Sequence, residues 1–96
     1  MHVLVLRIDL HFLRARSLKQ RRALLRPIVD GGRHRFPVAI AEVGHQDTWQ
    51  RAAVGIAAVS SSVSHAEEII DAVERFVWSF PDIEVLGAER AWLDDL

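Results

Sequence analysis

The chain has 96 residues, of which 50% are hydrophobic and 26% are charged, and its net charge is −1. This composition is typical of one small folded domain, and it excludes a disordered segment and a two-domain protein. There is no cysteine, which excludes disulfides, thiol nucleophiles and cysteine-ligated zinc.

The charge is unevenly distributed along the chain. Between Arg14 and Arg35 there are eight Lys or Arg residues and one acid, Asp30, whereas residues 63–96 hold nine acids against Arg75 and Arg90. Such a division indicates an anionic partner for the basic half or head-to-tail self-association. Two solvated helix faces of opposite sign would give the same pattern.

Residues His2–Phe12 form the first predicted element. From Leu4 onwards the even positions are apolar and the odd positions are mixed, which predicts a strand with one well-buried face. Charges interrupt the apolar run, and most basic residues follow it. We therefore expect neither a membrane span nor a signal peptide, and we expect a cytoplasmic protein.

A helix is predicted to begin at Ser17, because Ser17 and Gln20 match a capping box. The Gly31-Gly32 pair is predicted to end or fray this helix. Pro27 lacks a backbone N–H, so we expect it to kink the helix or stop it early.

The second half of the chain predicts three more strands and one more helix. The strands Pro37–Val43 and Gln50–Ser60 are joined by a hairpin. A capping box of Ser64 and Glu67 predicts the start of the second helix. Ile83–Trp92 is a fourth, less regular strand.

The element order β-α-β-β-α-β predicts an α+β protein with a ferredoxin-like fold, as a single domain over residues 1–96. In this fold both helices cover one face of a four-stranded antiparallel sheet with the order 4-1-3-2. The predicted core residues are those on matched strand parities and helix sides: Leu6, Ile8, Leu25, Val54, Ile56, Ile70 and Val73.

The topology brings the loop after strand one, the start of helix one and the hairpin to one pole of the sheet. Seven candidate binding residues meet there: Arg14, Arg16, Lys19, His45, Gln46, Trp49 and Arg51. Arginine grips phosphate and tryptophan stacks on bases, so this pole is predicted to bind a polyanion such as RNA. Asp47 is assigned a structural role in the turn. In the alternative interpretation the whole hairpin is structural: Trp49 covers the core, and Arg51 pairs with Asp9 or Glu42.

No pattern of catalytic or metal-binding residues stands out. The segment SSSVSH lacks a Gly-x-Ser-x-Gly elbow, and its serines lie where a helix cap is needed. The five histidines show no metal-ligand spacing, and no Gly-rich phosphate loop is present. We expect no enzyme activity, no metal and no cofactor.

The predicted free face of the sheet carries small apolar residues. They are Val3, Val5, Ala39, Ala41, Val43, Ala53, Gly55, Ala57 and Val59. A contiguous apolar face of this size predicts a dimer or higher homo-oligomer. Alternatively, the C-terminal segment AWLDDL covers part of it.

Two segments, SLKQRR and AEVGHQDTWQR, resemble the YlxP-like family of bacterial proteins of unknown function. The resemblance covers nearly the whole chain and implies a ferredoxin-like fold. Members are often encoded beside translation and ribosome-maturation genes, which implies a translation-related role by association. The family supplies no catalytic residues, and Pro27 departs from its pattern.

Together these observations predict a small non-enzymatic module that associates with RNA or the ribosome through its basic pole. The alternative is a homo-oligomeric regulatory domain, or one that binds a small anion.

Overall fold

The computed structural model describes residues 1–93. The elements, in chain order, are β1 (His2–His11), α1 (Leu18–Arg35), β2 (Ala39–Gly44), β3 (Arg51–Ser60), α2 (Val63–Trp78) and β4 (Glu84–Leu93). All strand pairs are antiparallel, and the order β2-β3-β1-β4 is the predicted 4-1-3-2 read from the other edge. Helix α1 packs against β2, and α2 packs against β1 and β3. The predicted ferredoxin-like fold is confirmed.

The core lies between the sheet and the two helices, as the alternation of β1 predicts. All seven predicted core residues are buried, and Leu25, at 5%, is the most exposed of them. The largest fully buried side chain is Phe12, directly after β1. The core therefore extends to the pole at which β1 ends.

Helix α1 continues beyond its two glycines, so the prediction that Gly31 and Gly32 end it is wrong. The glycines allow close packing instead. A Cβ atom at Gly31 would lie 2.9 Å from the Phe76 ring, and one at Gly32 would lie 3.0 Å from the Ile40 side chain. The helix ends at Arg35, and its C-cap, Phe36, has an extended backbone, as residues before proline usually have.

Pro27 lies inside α1 without stopping it, so of the two expected outcomes, a kink or an early stop, the early stop is wrong. The cost of a helix-interior proline remains, because its nitrogen cannot donate and its ring crowds the preceding turn. We expect Pro27→Ala to raise the free energy of unfolding by roughly 1–3 kcal/mol. Urea denaturation measures this, with Arg26→Ala at the neighbouring exposed position as the control. An unchanged or lower midpoint for Pro27→Ala would contradict the expectation.

Helix α2 begins one residue before the predicted capping serine. Ser62 is the N-cap, and its Oγ accepts from the backbone N–H of His65 at 3.3 Å. The predicted cap, Ser64 with Glu67, is wrong because Ser64 already lies inside the helix, whereas Ser62 has the extended backbone that a cap requires. In the described chain, neither helix is long and apolar enough to cross a membrane.

The sheet face opposite the helices is open in the described part of the chain. A groove of about 470 Å³ runs across all four strands, and small residues such as Ala57 and Ala91 line it. Ala53 is nonetheless fully buried on this face, and a Cβ atom at Gly44, its partner on β2, would lie 3.2 Å from the Ala53 Cβ atom. Residues 91–93 of the segment expected to cover the face belong to β4, and residues 94–96 lie outside the described residues.

Candidate functional site

The hairpin between β2 and β3 is tied to the loop that follows β1, as the topology predicted. The side-chain amide of Gln50 donates to the carbonyl oxygens of Leu13 and Ala15, both at 3.3 Å. The backbone N–H of Phe12 donates to the carbonyl of Gln50 at 2.8 Å. Loop and hairpin therefore form one surface.

The start of α1 fixes the other side of that loop. The Oγ atom of Ser17 accepts from the backbone N–H of Gln20 at 3.1 Å, which confirms the predicted N-cap. The Gln20 side chain reaches back to the N–H of Arg16, at 2.6 Å. The loop backbone is thus held at both ends, while the side chains of Arg14 and Arg16 are exposed.

Arg21, on the buried face of α1, links this helix to the hairpin. It is the one charged residue that is buried in the described part of the chain, with 5% of its surface exposed. Its Nε donates to the carbonyl of Arg51 at 3.0 Å, and its terminal nitrogen donates to the carbonyl of His45 at 3.1 Å. The same nitrogen forms an ion pair with Glu42 on β2. Much of the polar chemistry around the hairpin is therefore structural.

Sequence analysis missed Arg21, although the sequence contains a signal for it. The buried face of α1 consists of Arg21, Leu25, Ile28 and Gly32, which are spaced as one helical stripe. One basic residue within an otherwise apolar helix face predicts a buried ion pair. Its partner, Glu42, lies on β2 two positions from the buried Ile40, where side chains point to the same side of the sheet.

Two of the seven predicted binding residues lie towards the open sheet face. Arg51 is opposite His11 in the β1–β3 register, on the same strand parity as Gly55. His45 has a left-handed backbone, with φ 61°, and its Nε2 atom is 3.8 Å from the carboxylate of Asp9. These two side chains are therefore separated from the loop and the start of α1.

Arg51 does not pair with either acid that the structural alternative named. Glu42 is paired with Arg21, and the carboxylate of Asp9 lies 3.4 Å from Arg7. Within residues 1–93 Arg51 forms no ion pair, and its Nε atom is buried without an acceptor.

Trp49 is 52% exposed, so it does not cover the core as the structural alternative supposed. It lines a shallow groove with Asp47, Thr48 and Gln50. The turn is closed by the backbone N–H of Thr48, which donates to the carbonyl of His45 at 3.1 Å. Asp47 lies in this turn, and its carboxylate makes no hydrogen bond to any residue between 1 and 93. Gln46, beside it, is exposed.

A second exposed tryptophan, which sequence analysis did not single out, lies on the other side of the loop. Trp78 is 59% exposed and lines a groove of about 420 Å³ with Leu13 and Arg14. Asp82 and Glu84 line the same groove, and their negative charge makes it a poor place for phosphate.

The loop and α1 carry five exposed cations. We call them the loop–helix cations: Arg14, Arg16, Lys19, Arg22 and Arg26. None of them forms an ion pair with any residue from 1 to 93.

Other arginines form ion pairs with acidic side chains, and Arg90 is the clearest example. Its guanidinium lies 2.8 Å from Asp71 and 3.1 Å from Glu74 on α2. Partial burial disfavours the charged form of Arg90, but hydrogen bonds and attraction to these carboxylates outweigh burial and raise its pKa. The loop–helix cations, in contrast, are available to a partner.

Comparison with known proteins identifies the class of this chain. It belongs to DUF503, a protein family of unknown function, whose profile matches residues 3–90. It is 46% identical over 78 residues to the uncharacterized protein YlxP of Bacillus subtilis (strain 168), covering 81% of this chain and 85% of the relative. The predicted resemblance to the YlxP-like family is thereby confirmed.

A solved structure of the de novo designed protein Foldit4 is also similar to this chain. The TM-score is 0.56 over 100% of both chains, at 13% sequence identity. At this identity the similarity shows the fold alone.

Proposed function

We propose that the protein is a non-enzymatic, cytoplasmic RNA-binding module, associated with the ribosome or its RNA. The proposal is carried by one observation: the five loop–helix cations are exposed and form no ion pair within residues 1–93. Guanidinium groups and an exposed indole bind phosphates and bases without supplying a nucleophile.

The spacing of these cations suits a chain of phosphates better than one small anion. Lys19, Arg22 and Arg26 follow one flank of α1 at helical spacing, and they span about 10 Å at a rise of about 1.5 Å per residue. Arg14 and Arg16 lie in the loop before the helix start, where Arg14 borders Gln20, Leu24 and Asp82. At about 3.4 Å per nucleotide along one strand, the helix flank that carries Lys19, Arg22 and Arg26 passes several phosphates.

Trp49 indicates that the bound RNA contains unpaired bases. Stacking on an exposed indole requires a base that has left its helix, as in loops and bulges of structured RNA. On the open sheet face, β1 and β3 carry no Phe, Trp or Tyr, so the stacking mode of RNA-recognition motifs does not apply. Trp49 is the stacking position that we propose, because the next residue, Gln50, hydrogen-bonds to the loop that carries Arg14 and Arg16.

Replacing Trp49 tests the stacking contact. We expect Trp49→Ala to weaken binding to labelled ribosomal RNA by about 1–3 kcal/mol, with an unchanged salt slope because stacking releases few counterions. Trp49→Phe should retain part of the affinity. Trp78→Ala is the comparison variant and should lose less affinity than Trp49→Ala, because Asp82 and Glu84 line its groove beside Arg14. Equal losses for Trp49→Ala and Trp78→Ala, or no loss for either, would show that Trp49 is not the stacking residue.

A further inference from the structure

Trp49 lies in a segment of the hairpin that is not buried in the core. Residues 45–49 are all exposed, and Trp49 itself is 52% exposed. The position of the indole therefore depends on the polar contacts that hold the two ends of this segment. If the segment moved freely, it would have to be ordered whenever a base stacked on the indole, and that loss of conformational freedom would weaken binding.

Arg21 supplies a contact at each end of the segment. Its Nε donates to the carbonyl of Arg51 at 3.0 Å, and its terminal nitrogen donates to the carbonyl of His45 at 3.1 Å. These two carbonyls flank residues 46–50. The carbonyl of His45 also accepts from the backbone N–H of Thr48, at 3.1 Å, so the turn closes on the same oxygen atom. One side chain thus fixes both ends of the segment that carries Trp49.

Arg21 also belongs to the helix that carries part of the cationic surface. Lys19 lies two residues before it on α1, and Arg22 is the next residue. Arg21 itself is 5% exposed and is paired with Glu42, so its guanidinium is shielded from a phosphate. Its effect on RNA binding must therefore pass through other residues.

We propose that Arg21 is a positioning residue of the RNA site. It holds Trp49 at a fixed place relative to Lys19 and Arg22, so that stacking on the indole and binding of phosphates by the helix reinforce each other. A preorganised site of this kind binds more tightly, because the hairpin is already ordered before RNA arrives. The inference rests on the proposed RNA binding and adds to that site a residue that does not contact the RNA.

The variant that tests this role is Arg21→Met/Glu42→Met, which we call the donor-loss variant. It removes the donors to the two carbonyls, keeps the net charge, and leaves no unpaired carboxylate at position 42. The matched control is Arg90→Met/Glu74→Met, which removes an ion pair between β4 and α2 and also keeps the net charge.

Titration of labelled ribosomal RNA is the first measurement. We expect the donor-loss variant to bind roughly fivefold more weakly or worse, with an unchanged salt slope because no loop–helix cation is removed. The control should bind like the wild type. Trp49→Ala should weaken binding about tenfold in the wild type and less than about threefold in the donor-loss variant, because an unanchored indole contributes less.

The second measurement is ¹⁵N relaxation on the protein without RNA. The amide order parameters of residues 46–50 should fall in the donor-loss variant towards the values of about 0.6 that mark flexible backbone, and they should stay unchanged in the control. If circular dichroism shows that the donor-loss variant does not fold, Arg21→Lys replaces it. Lysine keeps the charge beside Glu42 but has one nitrogen in place of the two that donate to the carbonyls.

A wild type that binds RNA with a clear salt slope, and a folded donor-loss variant that binds equally well, would overturn the inference and leave the proposed function intact. A Trp49→Ala loss of the same size in both backgrounds would also overturn it, as would equal losses for the donor-loss variant and the control. Wild-type binding that does not change with salt would contradict the proposed function and this inference together.

Discussion

Arg21→Met is expected to lower the free energy of unfolding by about 2–4 kcal/mol. The methionine retains much of the aliphatic volume of the arginine, so the loss comes from polar groups. Glu42 would be left partly buried without its cation, and the carbonyls of His45 and Arg51 would lose their donor. Because Glu42 retains some exposure, the effect falls below that of a fully buried pair. Urea denaturation at neutral pH measures the change.

Arg22→Met is the matched control, since Arg22 is the next residue, is exposed and forms no ion pair within residues 1–93. We expect its effect to stay within about 0.5 kcal/mol. The double variant Arg21→Met/Glu42→Met should recover part of the lost stability, because it also removes the Glu42 carboxylate that Arg21→Met leaves unpaired. Equal losses for Arg21→Met and Arg22→Met would show that the buried pair does not hold the hairpin.

The largest expected effect on binding comes from removing three cations of the pole together. Arg14→Ala/Arg16→Ala/Lys19→Ala should flatten the dependence of RNA affinity on salt by roughly three units, one for each lost phosphate contact. At 0.1 M salt this corresponds to about a hundredfold lower affinity or more. The three side chains are exposed, so we expect the fold to be unchanged.

The matched control removes three arginines from outside the pole: Arg33, Arg35 and Arg75. This variant changes the net charge by the same amount and should change the salt slope by less than about one unit. If both triple variants lose affinity equally, the binding depends on overall charge and not on the pole.

The fold was predictable because its signals are periodic. Alternation along β1 and β3 gave both faces of the sheet, and the β-α-β-β-α-β order left one simple packing. The C-terminal end of α1 was not predictable in the same way. Gly31 and Gly32 are typical of a helix end, but the close approach of Phe76 and Ile40 gives them a packing role that only the tertiary structure shows.

The candidate site was predictable at the level of topology and not at the level of side chains. The loop and hairpin meet as expected, through Gln50. Arg51 continues the alternation of Ala53 and Gly55 along β3, which places it on the open face. The position of His45 depends on a register shift between Glu42 and Gly44 and on its own left-handed backbone. Such a bulge changes which side of the sheet a hairpin residue approaches, and the sequence pattern does not locate it.

The burial of Arg21 was missed for a different reason. Charged residues are almost never buried unless they are paired, so composition alone places an arginine at the surface. Its pairing with Glu42 joins residues that are 21 positions apart, and recognising it requires the packing of α1 on β2.

The central claim, that the pole binds RNA through its cations, is tested most directly by titrating ribosomal RNA against the wild-type protein at several salt concentrations. If the five loop–helix cations each contact a phosphate, log K should fall linearly with log salt concentration, with a slope of about −3 to −5. An acidic protein of the same size serves as the control. Binding no stronger than that of the control, or an affinity that does not change with salt, would contradict the account.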